Sequence, residues 1–174
     1  LVQAVTRGDS HIGEDVTMNV RTIENVPLTL RKSDHFDMLR TGRTEIRGEI
    51  VMYKDDFAAL NQRRQAAGES VFMNPRNLAA GTIRQLDPKL VAERPLHFIG
   101  YDILRESNDE LRLFTEVYDA MRELGITVGK PATTLFLVDE VMQFIDEWSE
   151  KRQTLSYQTD GVVIKINQRK LYAE

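Results

Sequence analysis

Cysteine is absent from this 174-residue chain, which excludes disulfides and thiolate metal sites. Histidine is scarce. His11, His35 and His97 are scattered, without the spacing of metal ligands, and read as surface or internally satisfied side chains. No apolar run approaches the length needed to cross a bilayer, and the first residues lack a secretory-leader pattern. The chain therefore reads as soluble and cytoplasmic, with no membrane partner. Basic residues are not in excess either: 23 Lys and Arg stand against 27 Asp and Glu, a formal net charge of −4. Any contact with nucleic acid must then come from a local surface rather than from the overall field. Neither G-x-x-x-x-G-K-[ST] nor G-x-G-x-x-G occurs, which argues against a P-loop or a Rossmann site.

What is present points to a local phosphate clamp. In FMNPRNLAAGTIRQLDP, residues 72–88, Arg76 and Arg84 stand eight residues apart. Between them lies the small-residue run Ala79-Ala80-Gly81-Thr82, and no acidic residue occurs from Phe72 through Leu86. Small residues let a ligand approach the backbone, and arginine forks grip phosphate in a two-pronged way. The competing reading is a solvated helix face.

The length suits one domain with a substantial core. No internal repeat or low-complexity segment occurs. Residues 1–6 read as a strand and residues 7–15 as a polar loop. Asp15 is placed to cap a short helix bearing Val16, Val20 and Ile23, ended by Pro27. Residues 33–42 read as a loop or a short helical turn. Residues 44–53 alternate as a strand, with Ile46, Gly48, Ile50 and Met52 on one face and Arg47, Glu49, Val51 and Tyr53 on the other. A helix is expected from Asp55 or Asp56 to about Ala67, stopped by Gly68. Another is expected over 77–86, and a further helical turn from Asp87-Pro88. Residues 96–104 read as a strand and 107–110 as a turn.

Phe114, Val117, Met121 and Leu124 mark the core face of a helix closed by Gly125. Val141, Phe144, Ile145 and Trp148 mark another core stripe. Residues 161–167, GVVIKIN, read as a strand with Val162, Ile164 and Ile166 on one face. Strands and helices alternate without a βαβ rhythm, so the fold class is α+β with mainly antiparallel sheet.

Three other places break the ordinary patterns. One is Thr6-Arg7-Gly8-Asp9 with Gly13-Glu14-Asp15, a glycine-bearing polar loop that serves either as a connecting turn or as part of a site. Another is Arg47-Gly48-Glu49, whose charges either pair with each other or face a cleft. The last is Asp160-Gly161-Val162-Val163-Ile164-Lys165. A lysine in such an apolar strand must snorkel or meet an anion, and Asp160 could hold a metal or a basic side chain. Arg152, eight residues before Asp160, adds a cation. Cations from several segments with two carboxylates suit a nucleotide phosphate better than a hydrolytic triad.

In this order, TRGDSHIGEDVTMNVRTI, IRGEI, NPRNLAAGTIRQLDP and DGVVIKIN resemble the adenylation domain of bacterial NAD-dependent DNA ligases, over essentially the whole chain. ATP-dependent ligases share the covalent-nucleotidyltransferase fold but usually lack the NPRN…RQLDP block. The resemblance implies that ATP-grasp-like fold, mainly antiparallel sheets with flanking helices. It implies a lysine that attacks the α-phosphate of NAD and expels nicotinamide mononucleotide. The lysyl-AMP then passes AMP to the 5′-phosphate of a DNA nick, and the 3′-hydroxyl displaces AMP to seal the strand, in replication and repair. NAD and Mg2+ are the implied cofactors, nicked double-stranded DNA the partner, and a monomer the expected state.

Roles carry over by position. Arg7 matches an arginine near the ribose and phosphate, and Glu49 the acid that binds the AMP ribose. Arg76 and Arg84 match arginines serving the AMP and nick phosphates, and so DNA. Tyr101, in HFIGYDI, matches the aromatic stacked on adenine. Arg152 matches an active-site arginine, Asp160 the acid of the lysine-bearing strand, and Lys165 that strand's lysine, close to adenine and the α-phosphate. Catalytic roles thus fall to Lys165, Arg76, Arg84 and Asp160, and nucleotide binding to Arg7, Glu49, Tyr101, Arg152 and Lys165; the metal ligands stay unassigned.

The departures are also definite. The family's nucleophile lies in a K-x-D-G motif, which none of these residues forms; Lys165 follows Asp160-Gly161 rather than preceding them. Ser10-His11-Ile12 replaces a usual Gly-Thr-Thr, and Leu78 a usual alanine, where a packing effect is expected. The chain has no initiator methionine and opens in the strand-like LVQAVT. The expectation is a partial adenylation domain, residues 1–174, with the hairpin strand of the catalytic lysine upstream and a last strand downstream. Such a fragment is expected to be inactive alone. A noncatalytic nucleotide- or nucleic-acid-binding relic of the same fold is the alternative, told apart by the reading frame upstream of Leu1.

Overall fold

The structure, a computed structural model, describes residues 1–8, 12–105, 111–129 and 133–171. The turn expected at 107–110 lies outside them. The chain divides into two compact units. Unit 1 comprises Leu1–Thr29 and Glu49–Ile99; unit 2 comprises Leu30–Gly48 and Gly100–Glu174.

Among the described residues the regular sheet is one ribbon of two strands, β1 (Thr44–Met52) and β2 (Leu96–Arg105). Mixed helices with a small antiparallel sheet fit the α+β class. The burial of β1 alternates as its sequence does, with Glu45, Arg47 and Glu49 exposed and Met52 buried.

In unit 1, α1 (Thr17–Val20) is a single turn. It stops well before Pro27, earlier than the sequence spacing suggests. Asp15 does receive the Thr17 N–H, at 2.9 Å. That bond, with those from the Thr17 hydroxyl and Gln3, holds the Asp15 carboxyl below its ordinary range. The helix α2 (Lys54–Ala66) ends where Gly68 adopts φ +73°. The helix α3 (Pro75–Thr82) begins earlier and ends sooner than the expected 77–86. Asn74 explains the start. Its side chain accepts the Arg76 and Asn77 N–H groups, and Pro75 takes the first helical position, where no N–H is needed. The helix α4 (Pro88–Ala92) is capped by Asp87 in the same way.

Val16, Val20, Ile23, Met52, Leu78 and Val91 belong to the core of this unit, with Phe57, Leu60 and Phe72 packed against it. Leu78 is only 6% exposed, so the departure from alanine fills core volume, as expected.

In unit 2, α5 (Phe114–Glu123) buries Phe114, Val117, Ala120 and Met121, and Leu124 follows them into the core. Gly125 closes it at φ +87°. A β-carbon at Gly125 would also strike the Arg31 side chain, 2.8 Å away. The stripe on α6 (Val138–Lys151) is only half-buried: Val141, Phe144, Ile145 and Trp148 are partly exposed and no residue of the helix is buried.

Two expected strands do not form. Residues 1–6 make only an isolated bridge, Val5 to Asp15, and residues 161–167 join no ladder. Residues 4–6 bond residues 14–16 over only a few positions, Thr6 N–H to the Glu14 carbonyl and Val16 N–H to the Ala4 carbonyl, while 161–167 has no ladder partner among the described residues. A strand needs a neighbour's carbonyls and amides along its length to exist as one.

Candidate functional site

The arginine segment is built from the inside out. Leu78, Ala79 and Thr82 of α3 face the unit 1 core. One helical turn separates such positions, so Arg76, Ala80 and Gly81 fall on the solvent side. A β-carbon at Gly81 would meet nothing within 4 Å. Packing within the chain therefore does not require glycine there, whereas close approach of a ligand would.

Past the helix, the chain turns at Ile83, Arg84 and Gln85. Arg84 is exposed, and its Nε lies 3.2 Å from a carboxylate oxygen of Glu14. The structure thus joins two places the sequence singled out separately, the polar loop and the arginine segment. Arg94 from beyond α4 donates to the Thr82 hydroxyl at 2.6 Å.

Sequence reasoning missed Asn19. It is 6% exposed, and its side-chain amide donates to the Ile83 carbonyl at 2.7 Å and the Gln85 carbonyl at 2.8 Å. The only sequence signal is a polar residue beside the apolar Val16, Val20 and Ile23 in a run otherwise read as core.

Glu49 stands on the exposed face of β1. The expected alternative of an Arg47–Glu49 pair is corrected: Arg47 Nε bonds Glu45 at 2.7 Å, on the same face of the strand. Among the described residues the Glu49 carboxylate makes no hydrogen bond or ion pair. The same holds for the Arg7 side chain, on the exposed loop of unit 1.

In unit 2, Tyr101 is 43% exposed on β2. Its backbone is held on either side. The Gly100 N–H donates to the Thr127 carbonyl at 2.8 Å, and a β-carbon at Gly100 would strike Ile126 and Met121. The Ile103 carbonyl receives Arg169 at 2.8 Å, and Arg169 also bonds Asp102 at 3.0 Å. Burial pushes the nearby Tyr118 phenol up, and the charge of Asp102 adds to this.

Lys165 is partly buried, its ammonium 4.4 Å from the centre of the Phe114 ring, while Val162, Val163, Ile164 and Ile166 are exposed. This inverts the expected pattern: the lysine is the sheltered member of the run. Asp160 and Arg152 are exposed, Arg152 opening a short 3-10 turn after α6.

His97 stacks on Tyr53 at 3.9 Å and lies 3.3 Å from Asp56; His35 lies 3.5 Å from Glu123. His97 is internally satisfied and His35 lies at the surface, the two outcomes expected, and His11 lies outside the described residues. Among the described residues no three His, Cys, Asp or Glu side chains stand together as a metal site. No helix among them is long and apolar enough to cross a membrane.

The family model for the NAD-dependent DNA ligase adenylation domain matches residues 1–174. The chain belongs to that family. It is 44% identical to the DNA ligase of Syntrophomonas wolfei over 96% of its length, and 43% identical to that of Halothermothrix orenii over 97%. The DNA ligase of Mesoplasma florum is 40% identical over the full chain. The chain spans about a quarter of these curated relatives: 24% of the first two and 25% of the third.

Proposed function

We propose that this chain is the adenylation part of an NAD-dependent DNA ligase, with the covalent-nucleotidyltransferase fold, acting on nicked double-stranded DNA in the cytoplasm as a monomer. The observation that carries the reading is the build of α3: a helix anchored by Leu78, Ala79 and Thr82 that leaves Arg76 outward and Gly81 open to close approach. That arrangement, across a chain matched throughout by the family, suits phosphate recognition.

In this reading Arg76 and Arg84 serve the AMP and nick phosphates. Glu49 accepts the ribose hydroxyls, Arg7 lies near ribose and phosphate, and Tyr101 stacks on adenine. In unit 2, Arg152 takes the role of an active-site arginine, and Asp160 and Lys165 those of the acid and the lysine of the lysine-bearing strand. The exposure of Glu49, Tyr101 and Arg7 suits groups meant for a ligand. Phosphoryl transfer of this kind relies on positioning and charge neutralisation more than on a protein base. Magnesium is the metal this reading implies; at nucleotide sites it is typically held by phosphate oxygens and water with one or two carboxylates, a role for which no residue is assigned.

The test is nick sealing by the full-length protein with NAD as the sole nucleotide. Sealing together with a lysyl-AMP adduct supports the reading. A protein that binds nucleotide or DNA but forms no adduct supports the noncatalytic alternative.

A further inference from the structure

Arg84 sits in a turn rather than in a helix, and a turn does not by itself hold a side chain still. Two contacts hold this one. Asn19, buried beneath the turn, donates one amide hydrogen to the carbonyl before Arg84 and the other to the carbonyl after it, at 2.7 and 2.8 Å. A primary amide is the neutral side-chain group that supplies two N–H donors from one nitrogen; a hydroxyl has one. The chemistry of Asn19 is thus matched to a pair of carbonyls that straddle a single residue. From the other side, Glu14 meets the Arg84 guanidinium at 3.2 Å.

We propose that Asn19 is a positioning residue for phosphate recognition, fixing the backbone from which Arg84 projects, with Glu14 as the resting partner of the guanidinium. The inference rests on the reading of Arg84 as a phosphate contact. Asn19 itself touches no substrate. Its two bonds set where the Arg84 Cα stands, and an arriving phosphate competes with Glu14 for the same fork. A displacement of about 1 Å in such a group costs up to about a hundredfold in rate.

The experiment uses the full-length protein, adenylated beforehand, in single-turnover sealing of a nicked duplex. Variants are Asn19→Ala, Asn19→Ser, Arg84→Lys, the double variant Asn19→Ala/Arg84→Lys, and Val91→Ala as a core control of the same unit. Asn19→Ala is expected to slow sealing by up to about tenfold, no more than Arg84→Lys does. Asn19→Ser, with one donor left, should fall between it and the wild type, and it carries the test if Asn19→Ala does not fold. The double variant should be no slower than Arg84→Lys within about twofold, because effects that pass through one group do not multiply. Val91→Ala should lower thermal stability without slowing sealing.

Multiplying effects in the double variant, or equal slowing by Val91→Ala at matched stability, would make Asn19 a purely structural residue and overturn the inference. So would wild-type sealing by both Asn19 variants beside an impaired Arg84→Lys. A wild-type rate for Arg84→Lys would instead strike the reading of Arg84, and this inference would fall with it.

Discussion

The α3 region and the segment at residues 158–169 carry similar material, cations set among apolar side chains, but only the first is a long regular element. The helix α3 has its start written beside it in Asn74 and Pro75, and its apolar residues share one face. Its hydrogen bonds close within the helix. Residues 161–167 have equally clear alternation, but a strand needs another strand. Among the described residues none pairs with it, and Val163 is left 76% exposed. What fixes this segment is contact with the start of α5, through backbone as well as side-chain groups. The Phe114 N–H bonds the Asn167 carbonyl at 2.9 Å, the Thr115 N–H bonds the Asn167 side chain, and Lys165 and Arg169 both lie over the Phe114 ring. Local signals make local structure; extended segments take their form from neighbours distant in sequence.

The sharpest way to break this comparison concerns Lys165. It lies in the segment held only by outside contacts, and the K-x-D-G motif of the family's nucleophile is absent from the 174 residues. The chain alone, incubated with NAD and magnesium, is expected to form no covalent AMP adduct by mass spectrometry. A stable adduct of AMP mass on Lys165 would reverse the roles assigned to the two regions.

The next effect is at Glu49, which β1 places on its exposed face with no partner among the described residues. In the full-length protein Glu49→Ala removes an anionic acceptor from the ribose. A bond to a charged group contributes about 1.5–3 kcal/mol, so adenylation is expected to slow roughly ten- to a hundredfold. Stopped-flow or gel measurement of lysyl-AMP formation reads this directly. An unchanged rate and NAD dependence would return Glu49 to the surface.

These expectations show how far the sequence was legible. The alternation of β1, the Gly68 and Gly125 stops and the buried face of α5 were readable because each depends on residues within a few positions. The missing ladders at 1–6 and 161–167, the Arg47–Glu45 pair and the half-exposed stripe of α6 were not. Each depends on what faces the element, which periodicity alone does not contain. The support for Arg84 was hidden for the same reason, since Asn19 stands 64 residues from Ile83, the nearer of its two carbonyl partners in sequence.

A smaller effect sharpens the reading of the α3 region itself. Arg84→Lys keeps the charge but loses the two-pronged fork, so sealing by adenylated enzyme should fall by about tenfold, one charge-assisted bond. Arg63→Ala, on exposed α2 surface, should stay within about 0.5 kcal/mol of wild type in stability and leave sealing unchanged. Equal loss from both would mean that any surface cation serves, and the segment would be an ordinary solvated face.

The smallest effect compares two helix starts. Glu140 accepts the Phe136 and Leu137 N–H groups at 2.9 and 3.1 Å at the start of α6, and Glu116 does the same for Arg112 and Leu113 at α5. The two backbone bonds hold the Glu140 carboxyl below its ordinary range. A depressed value means that the ionised form belongs to the folded helix. The contribution is therefore complete above the ordinary glutamate range and disappears as pH falls through the lower folded value. Glu140 is fully exposed, so the effect is slight and should appear as fraying rather than unfolding. At α5 the first turn is also held by buried Phe114 and by Asn167, so its start should persist in acid. NMR pH titration of the Phe136, Leu137, Phe114 and Thr115 amides measures both. The expected result is a midpoint for Phe136 and Leu137 below about 4.3, the unperturbed glutamate value, with α6 losing amide protection before α5. Simultaneous loss at both helices would show that the cap, and not the buried contact, holds α5.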